Sequence, residues 1–275
     1  CRLHGRYDTL GRALFESSKC HKLHHPTQID RMSAPTVLII GCGDYIGASI
    51  ARRFAAGGFT ICMGRRNGHK LAPLTREITK AGGRAHAFTL DARNEDSIKQ
   101  IFAHVEAEIG ALDLVICNVG GNVMFPLRDT TARVFRKVWE MACFAGFLAG
   151  REAANYMVPR NRGAIFLTGA SASIRGKSGY AAFSAAKAGQ RALAQSMAKE
   201  LGPQNIHVAH LVIDAGVDTA FVRERIKQAG QDPTHLPADT LMDPGSVAEA
   251  YWQLYNQPRD GWTFEMDLRP YGETW

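Results

Sequence analysis

A chain of 275 residues, 45% hydrophobic and 21% charged, can bury one sizeable core, and it has no apolar run near the roughly 18 to 20 residues that span a bilayer. Its formal charge of +7 is scattered among acids with no Lys/Arg block, so neither a nucleic-acid surface nor a membrane partner is expected. Six cysteines (Cys1, Cys20, Cys42, Cys62, Cys117, Cys143) lack paired spacing, and three lie in apolar runs; reduced structural thiols in a cytoplasmic protein are expected, with no disulfide framework and no metal site.

Residues 1–31 differ in texture from the rest. They carry six basic side chains, four histidines and no clear period, while Asp8, Glu16 and Asp30 argue against an organellar presequence. We read them as a poorly ordered extension. A single domain is then expected over 32–275.

From residue 36 short β-branched runs alternate with longer helical patterns, which predicts an α/β domain with a parallel sheet flanked by helices. The runs 36–40, 59–63, 85–90, 112–117, 164–168, 207–213 and 263–268 read as seven strands. Helical spacing appears over 46–54, 68–82, 94–109, 131–158 and 178–201. A further helix starts after Asp243-Pro244, an N-cap followed by a first-turn proline.

The turn after the first strand is Gly41-Cys42-Gly43-Asp44-Tyr45-Ile46-Gly47. Its glycines allow a sharp bend and close approach to a pyrophosphate at the positive end of the next helix. The second strand ends in Gly64-Arg65-Arg66-Asn67. Asp91-Ala92 follows the third, Asn118-Val119-Gly120 the fourth, and Lys187 stands four residues after Phe183 on a helix.

This set, with Gly41, Ile46 and Gly47 in the spacing Gly-x-x-x-x-Ile-Gly, resembles the short-chain dehydrogenase/reductase family, and the resemblance covers nearly all of the chain after residue 35. It implies a Rossmann-type doubly wound sheet and an NAD(P)-dependent oxidoreductase. Tyr45 stands where the family usually has another glycine. The resemblance implies a cofactor site from Gly41, Gly43, Asp44, Tyr45, Ile46, Gly47, Arg65, Arg66, Asp91, Ala92, Asn118, Gly120, Lys187 and Thr219. Glycine in place of an acid at the end of the second strand, beside two arginines, favours NADP(H), with NAD(H) as the alternative.

In the family a tyrosine and a lysine four residues apart share one helix face, so that the ammonium acts on the phenol. Here Phe183 fills the tyrosine position, Ala170 the serine position and Ala142 the asparagine position; Lys187 survives. Ser171, Tyr180 and Asp214 are the candidates to stand in, with Lys187 and Ser171 the catalytic pair expected. Residues 221–237 have the length and mixed polarity of a mobile substrate-covering segment. Two readings stay open: hydride transfer between NADP(H) and an unidentified small carbonyl or alcohol, or a weak or inactive dinucleotide-binding scaffold or regulatory subunit. The long helices 131–158 and 178–201 resemble those that pair in relatives, which implies a homodimer or homotetramer.

Overall fold

The computed structural model describes residues 34–273; the extension read at 1–31 lies outside the described residues. Seven strands, β1 (Thr36–Ile40), β2 (Thr60–Arg65), β3 (Arg84–Thr89), β4 (Leu112–Cys117), β5 (Gly163–Thr168), β6 (Ile206–Ile213) and β7 (Glu265–Leu268), form one sheet in the order β3-β2-β1-β4-β5-β6-β7. Every neighbouring pair is parallel.

A parallel sheet is covered on both faces, so its central strands β1 and β4 are buried throughout and, apart from Thr36 and Asp113, apolar at successive rather than alternate positions. The pleat then sorts them. Val37, Ile39, Ile61, Met63, Leu114 and Ile116 point into one core, against α1 (Ile46–Ala56), α2 (Ala72–Lys80) and α8 (Pro244–Tyr255). Leu38, Ile40, Cys62, Val115 and Cys117 point into the other, against α3 (Glu95–Glu108), α5 (Ala145–Met157) and α6 (Ala181–Leu201).

Four sequence-based boundaries are corrected. The helix read over 68–82 opens as a 3-10 turn (Gly68–Leu71), and the α-helix starts only where Pro73 occupies a first-turn position. The helix read over 131–158 is α4 (Ala132–Trp139) and α5 separated by a π-turn at Glu140–Phe144. The last strand begins at Glu265, not at residue 263, because the Thr263 amide donates to Gln257 Oε1 at 2.8 Å and its carbonyl meets His207 at 2.9 Å. Part of the covering segment is a regular helix, α7 (Ala220–Gln228), capped by Thr219.

The strand order reverses between β1 and β4. A crevice must open there, at the carboxyl edge of the sheet, because the helices that follow the two strands leave to opposite faces.

Candidate active site

The glycine turn leaves β1 at that crevice. Gly41 has φ +85°, and a Cβ there would come within 2.6 Å of the Asn118 carbonyl, so only glycine lets the β1 and β4 exits touch. Asn118 locks the pair: its amide donates to the Ile40 carbonyl at 2.8 Å and its side-chain amide to the Gly41 carbonyl at 3.1 Å. Gly43 faces open space on the cleft wall, where a side chain would intrude. Gly47 serves α1, since a Cβ there would lie 2.6 Å from the Cys42 Cα.

A cleft of about 520 Å³ runs from this turn past the ends of β2, β3 and β4. Of the residues that the resemblance assigns to a cofactor site, Gly41, Gly43, Arg65, Arg66, Asp91, Ala92, Asn118 and Gly120 line it. Asn67, Lys70, Arg93 and Met141 line it too and were missed. Lys70 is reachable by asking which bases fall within a turn of the β2 end; Met141 is brought in by the π-turn, which has no simple sequence signal.

Four cations surround the β2 end of the cleft, and two are already engaged. Arg65 Nη1 donates to Asp44 at 2.5 Å, and Arg93 holds Asp91 through two side-chain contacts of 2.9 and 2.6 Å. Arg93 thereby pulls the Asp91 carboxyl down to about 2, so it is an ionised acceptor at neutral pH. Arg66 and Lys70, both exposed, form no salt bridge among the described residues, although the Arg66 charge also helps to lower Asp91. They are the cations open to an anion. The set fits a dinucleotide: a glycine turn, an ionised short acid and unpaired cations beyond it.

Lys187 lies behind the cleft wall and is only 2% exposed. Its ammonium donates to the Thr168 carbonyl at 2.6 Å, to Gln190 Oε1 at 3.0 Å and to the Val119 carbonyl at 3.3 Å. All three protons therefore have protein acceptors. Burial lowers its pKa to about 8, opposed by the neighbouring thiols Cys117 and Cys143. Gln190, itself buried, is the partner that sequence reading missed.

The positions that the resemblance assigns to proton donors hold apolar side chains that pack together. Phe183, 6% exposed, packs with Val138, Ala142, Ala182 and Ala186, and Ala170 and Tyr180 close over the cluster. Ala142 sits inside the π-turn, which brings a buried methyl where the resemblance places an amide. Tyr180 accepts from Arg225 at 2.6 Å. Asp214 is fully buried between Arg175 (2.8 and 2.7 Å) and Arg269 (2.7 Å). Burial raises its pKa, but hydrogen bonds from Ser171, Arg269 and Arg175 outweigh that and hold it below the ordinary carboxylate value. It is a clamped anion joining the exits of β5, β6 and β7, and Ser171 belongs to that clamp. Neither lines the cleft.

Thr219 caps α7 through a 3.1 Å bond from the Val222 amide, and Tyr45 reaches α7 rather than the cleft, its phenol oxygen accepting from the Ala220 amide at 3.0 Å. Asp44 and Ile46 also stay off the cleft wall. Among the described residues no group of three or more His, Cys, Asp or Glu is placed to hold a metal, and no helix is long and apolar enough to cross a membrane.

Comparison with known proteins agrees with this architecture. The short chain dehydrogenase family model matches residues 35–230. A short-chain dehydrogenase/reductase of Armillaria gallica is 31% identical over 176 residues, which cover 62% of this chain and 67% of that protein. The crystal structure of a short-chain dehydrogenase from Rhodopseudomonas palustris is 54% identical, with a TM-score of 0.74 over 86% of this chain and 99% of that one. An alcohol dehydrogenase from Thermococcus sibiricus, complexed with 5-hydroxy-NADP, shares the fold at 22% identity and a TM-score of 0.75, covering 88% of this chain and 99% of that one. Because the family match runs from just before β1 past the end of α7, taking in the glycine turn and the lysine helix alike, the chain belongs to the short-chain dehydrogenase family of oxidoreductases.

Proposed function

We propose that this chain binds NADP(H) in the cleft and supports hydride transfer between it and a small carbonyl or alcohol, with an incomplete tetrad. The observation that carries the reading is the pair Arg66 and Lys70, neither held in a salt bridge among the described residues, beyond a β2 end that holds Gly64 where an acid would repel a 2′-phosphate. The 5-hydroxy-NADP complex of the Thermococcus sibiricus enzyme of the same fold supports it.

The glycine turn would hold the diphosphate, Asp91 and Ala92 the adenine, and Arg66 with Lys70 the 2′-phosphate. A bound nicotinamide supplies a hydride and no proton. Lys187 keeps a positive charge one carbonyl behind the wall, at Val119, but has no phenol to act on. Proton transfer is therefore left to water or to the substrate itself.

The sealed apolar cluster around Phe183 favours the second reading, a scaffold or regulatory subunit that binds the dinucleotide without turnover. Titration with NADPH and NADH, followed by hydride-exchange assays over a carbonyl panel, separates the two. Saturable NADPH binding with slow exchange fits the first; binding with no exchange fits the second; no saturable binding of either nucleotide refutes both. Arg66→Ala should weaken NADPH about tenfold and leave NADH unchanged, the loss of one charge-assisted contact.

Self-association belongs to the same reading. Phe135 and Trp139 of α4 are 40% and 41% exposed, a large aromatic face on the helices expected to pair. Sedimentation velocity would distinguish a homodimer or homotetramer from a monomer, and a monomer would end the idea.

A further inference from the structure

Helix α7 is docked in an unusual way. None of its residues is fully buried, and only Val222 and Ile226 among its aliphatic side chains are half-covered, so it contributes little to the hydrophobic core. Its cap and its Arg223–Asp218 pair are internal to its own segment. Among the described residues, the hydrogen bonds that tie it to elements outside that segment end on two phenol oxygens. The amide of Ala220, its first residue, donates to Tyr45 at 3.0 Å, and Arg225 donates to Tyr180 at 2.6 Å. The Arg225 guanidinium also lies over the rings of Tyr180 and Phe221, at 5.9 and 5.7 Å.

The two phenols come from different places. Tyr45 belongs to the glycine turn at the carboxyl end of β1, and Tyr180 is the residue before α6, the helix that carries Lys187. Ala220 and Arg225 are five residues apart, roughly 7.5 Å along a helix. The helix is thus pinned at both ends of a short span, between the cofactor turn and the lysine helix. Upstream the segment is anchored by the Asp218 amide, which donates to the Met242 carbonyl at 2.9 Å, and by the Val217–Met242 bridge. Opening therefore needs two hydrogen bonds and one stacked guanidinium to break and the half-covered Val222 and Ile226 to be exposed, with the hinge left in place.

We propose that Tyr45 and Tyr180 are paired latches that hold α7 against the cofactor turn and so set how fast a bound dinucleotide leaves. The release step rests on the reading that the cleft takes NADP(H); the latch itself does not. Tyrosine at position 45 then has a use of its own: its side chain crosses to a segment 175 residues away.

Hydrogen–deuterium exchange on the nucleotide-free protein tests the latch. Tyr45→Phe and Tyr180→Phe each remove one oxygen and leave the ring. Each should speed exchange of the 219–228 peptides about fivefold, the factor for one net hydrogen bond, and the double variant should speed it by about the product. The global unfolding midpoint should move little, because α7 has no fully buried residue. Unchanged exchange in the double variant overturns the proposal, and so does a general rise in exchange across the core. The release step is read from the NADPH dissociation rate after rapid mixing, which should rise by the same factors. An unchanged dissociation rate with faster 219–228 exchange overturns the release step. Failure of the wild-type protein to bind NADPH refutes the proposed function instead, and the exchange data still decide the latch.

Discussion

The buried ammonium of Lys187 has a measurable thermodynamic signature. Its pKa falls from the ordinary 10.5 to about 8 in the folded chain, chiefly through burial. Below pH 8 the lysine is charged in both states and its contribution to stability does not change with pH. Between about 8 and 10.5 the unfolded chain holds the proton and the folded chain does not, so the unfolded state binds more protons and stability rises with pH. At about 1.36 kcal/mol per pH unit the interval is worth about 3 kcal/mol. Lys187→Met removes the titration while leaving the unpaired Thr168 and Gln190 acceptors as a constant offset.

Urea unfolding of both proteins at several values from pH 7.5 to 10.5 isolates the effect. Other groups pull the opposite way: burial raises Cys42 and Cys62 to about 12 and Cys117 to about 11, so the unfolded chain loses these protons first and both proteins weaken above the ordinary thiol range. The losses at Cys42 and Cys62 cancel in the difference, and the mutual effect of Lys187 and Cys117 left in it is smaller than the burial effect on the lysine. The wild type should gain about 3 kcal/mol on the variant between pH 8 and 10.5. Parallel profiles would show that the ammonium is hydrated or that the three acceptors fully offset its burial, and would refute the argument.

Two further outcomes follow from the cleft and the apolar cluster. Asp44→Ala releases Arg65, and because Asp44 is 66% exposed the pair is worth well under about 1 kcal/mol; NADPH should bind about threefold tighter with the unfolding midpoint nearly unchanged, whereas weaker binding by calorimetry would mean that Asp44 orients the arginine productively. Phe183→Tyr alone should leave kcat/KM for a carbonyl substrate within about tenfold of the parent, because Ala170 still offers no hydroxyl and Lys187 is bound to protein acceptors; Phe183→Tyr with Ala170→Ser should gain about 10² or more. Robust turnover by the single variant would show that the lysine is freer than its hydrogen bonds imply.

Much of the architecture is local and was therefore legible. A continuous apolar run such as 37–40 points to a strand between two helical layers, and a glycine turn after it marks the crevice. The boundary errors arose where a non-local partner won. Thr263 leaves the strand because Gln257 and His207 claim its backbone, and the π-turn inside the helix read over 131–158 has no periodicity of its own to announce it.

The sequence by itself determined the sheet and the family; the three-dimensional fold decided which partners the polar groups around the cleft take. Asp44 consumes one of the two arginines, from 21 residues away. Lys187 donates to Thr168 across 19 residues and to Val119 across 68, so it is a buried, lowered-pKa cation rather than an open one. Asp214 is clamped by Arg175 and Arg269 instead of standing as a free acid. Tyr45 belongs to α7. Periodicity and propensity report on neighbours three or four residues apart, whereas a hydrogen-bond partner is chosen by which chain ends the sheet order brings to one edge, and that order exists only once the strands have paired.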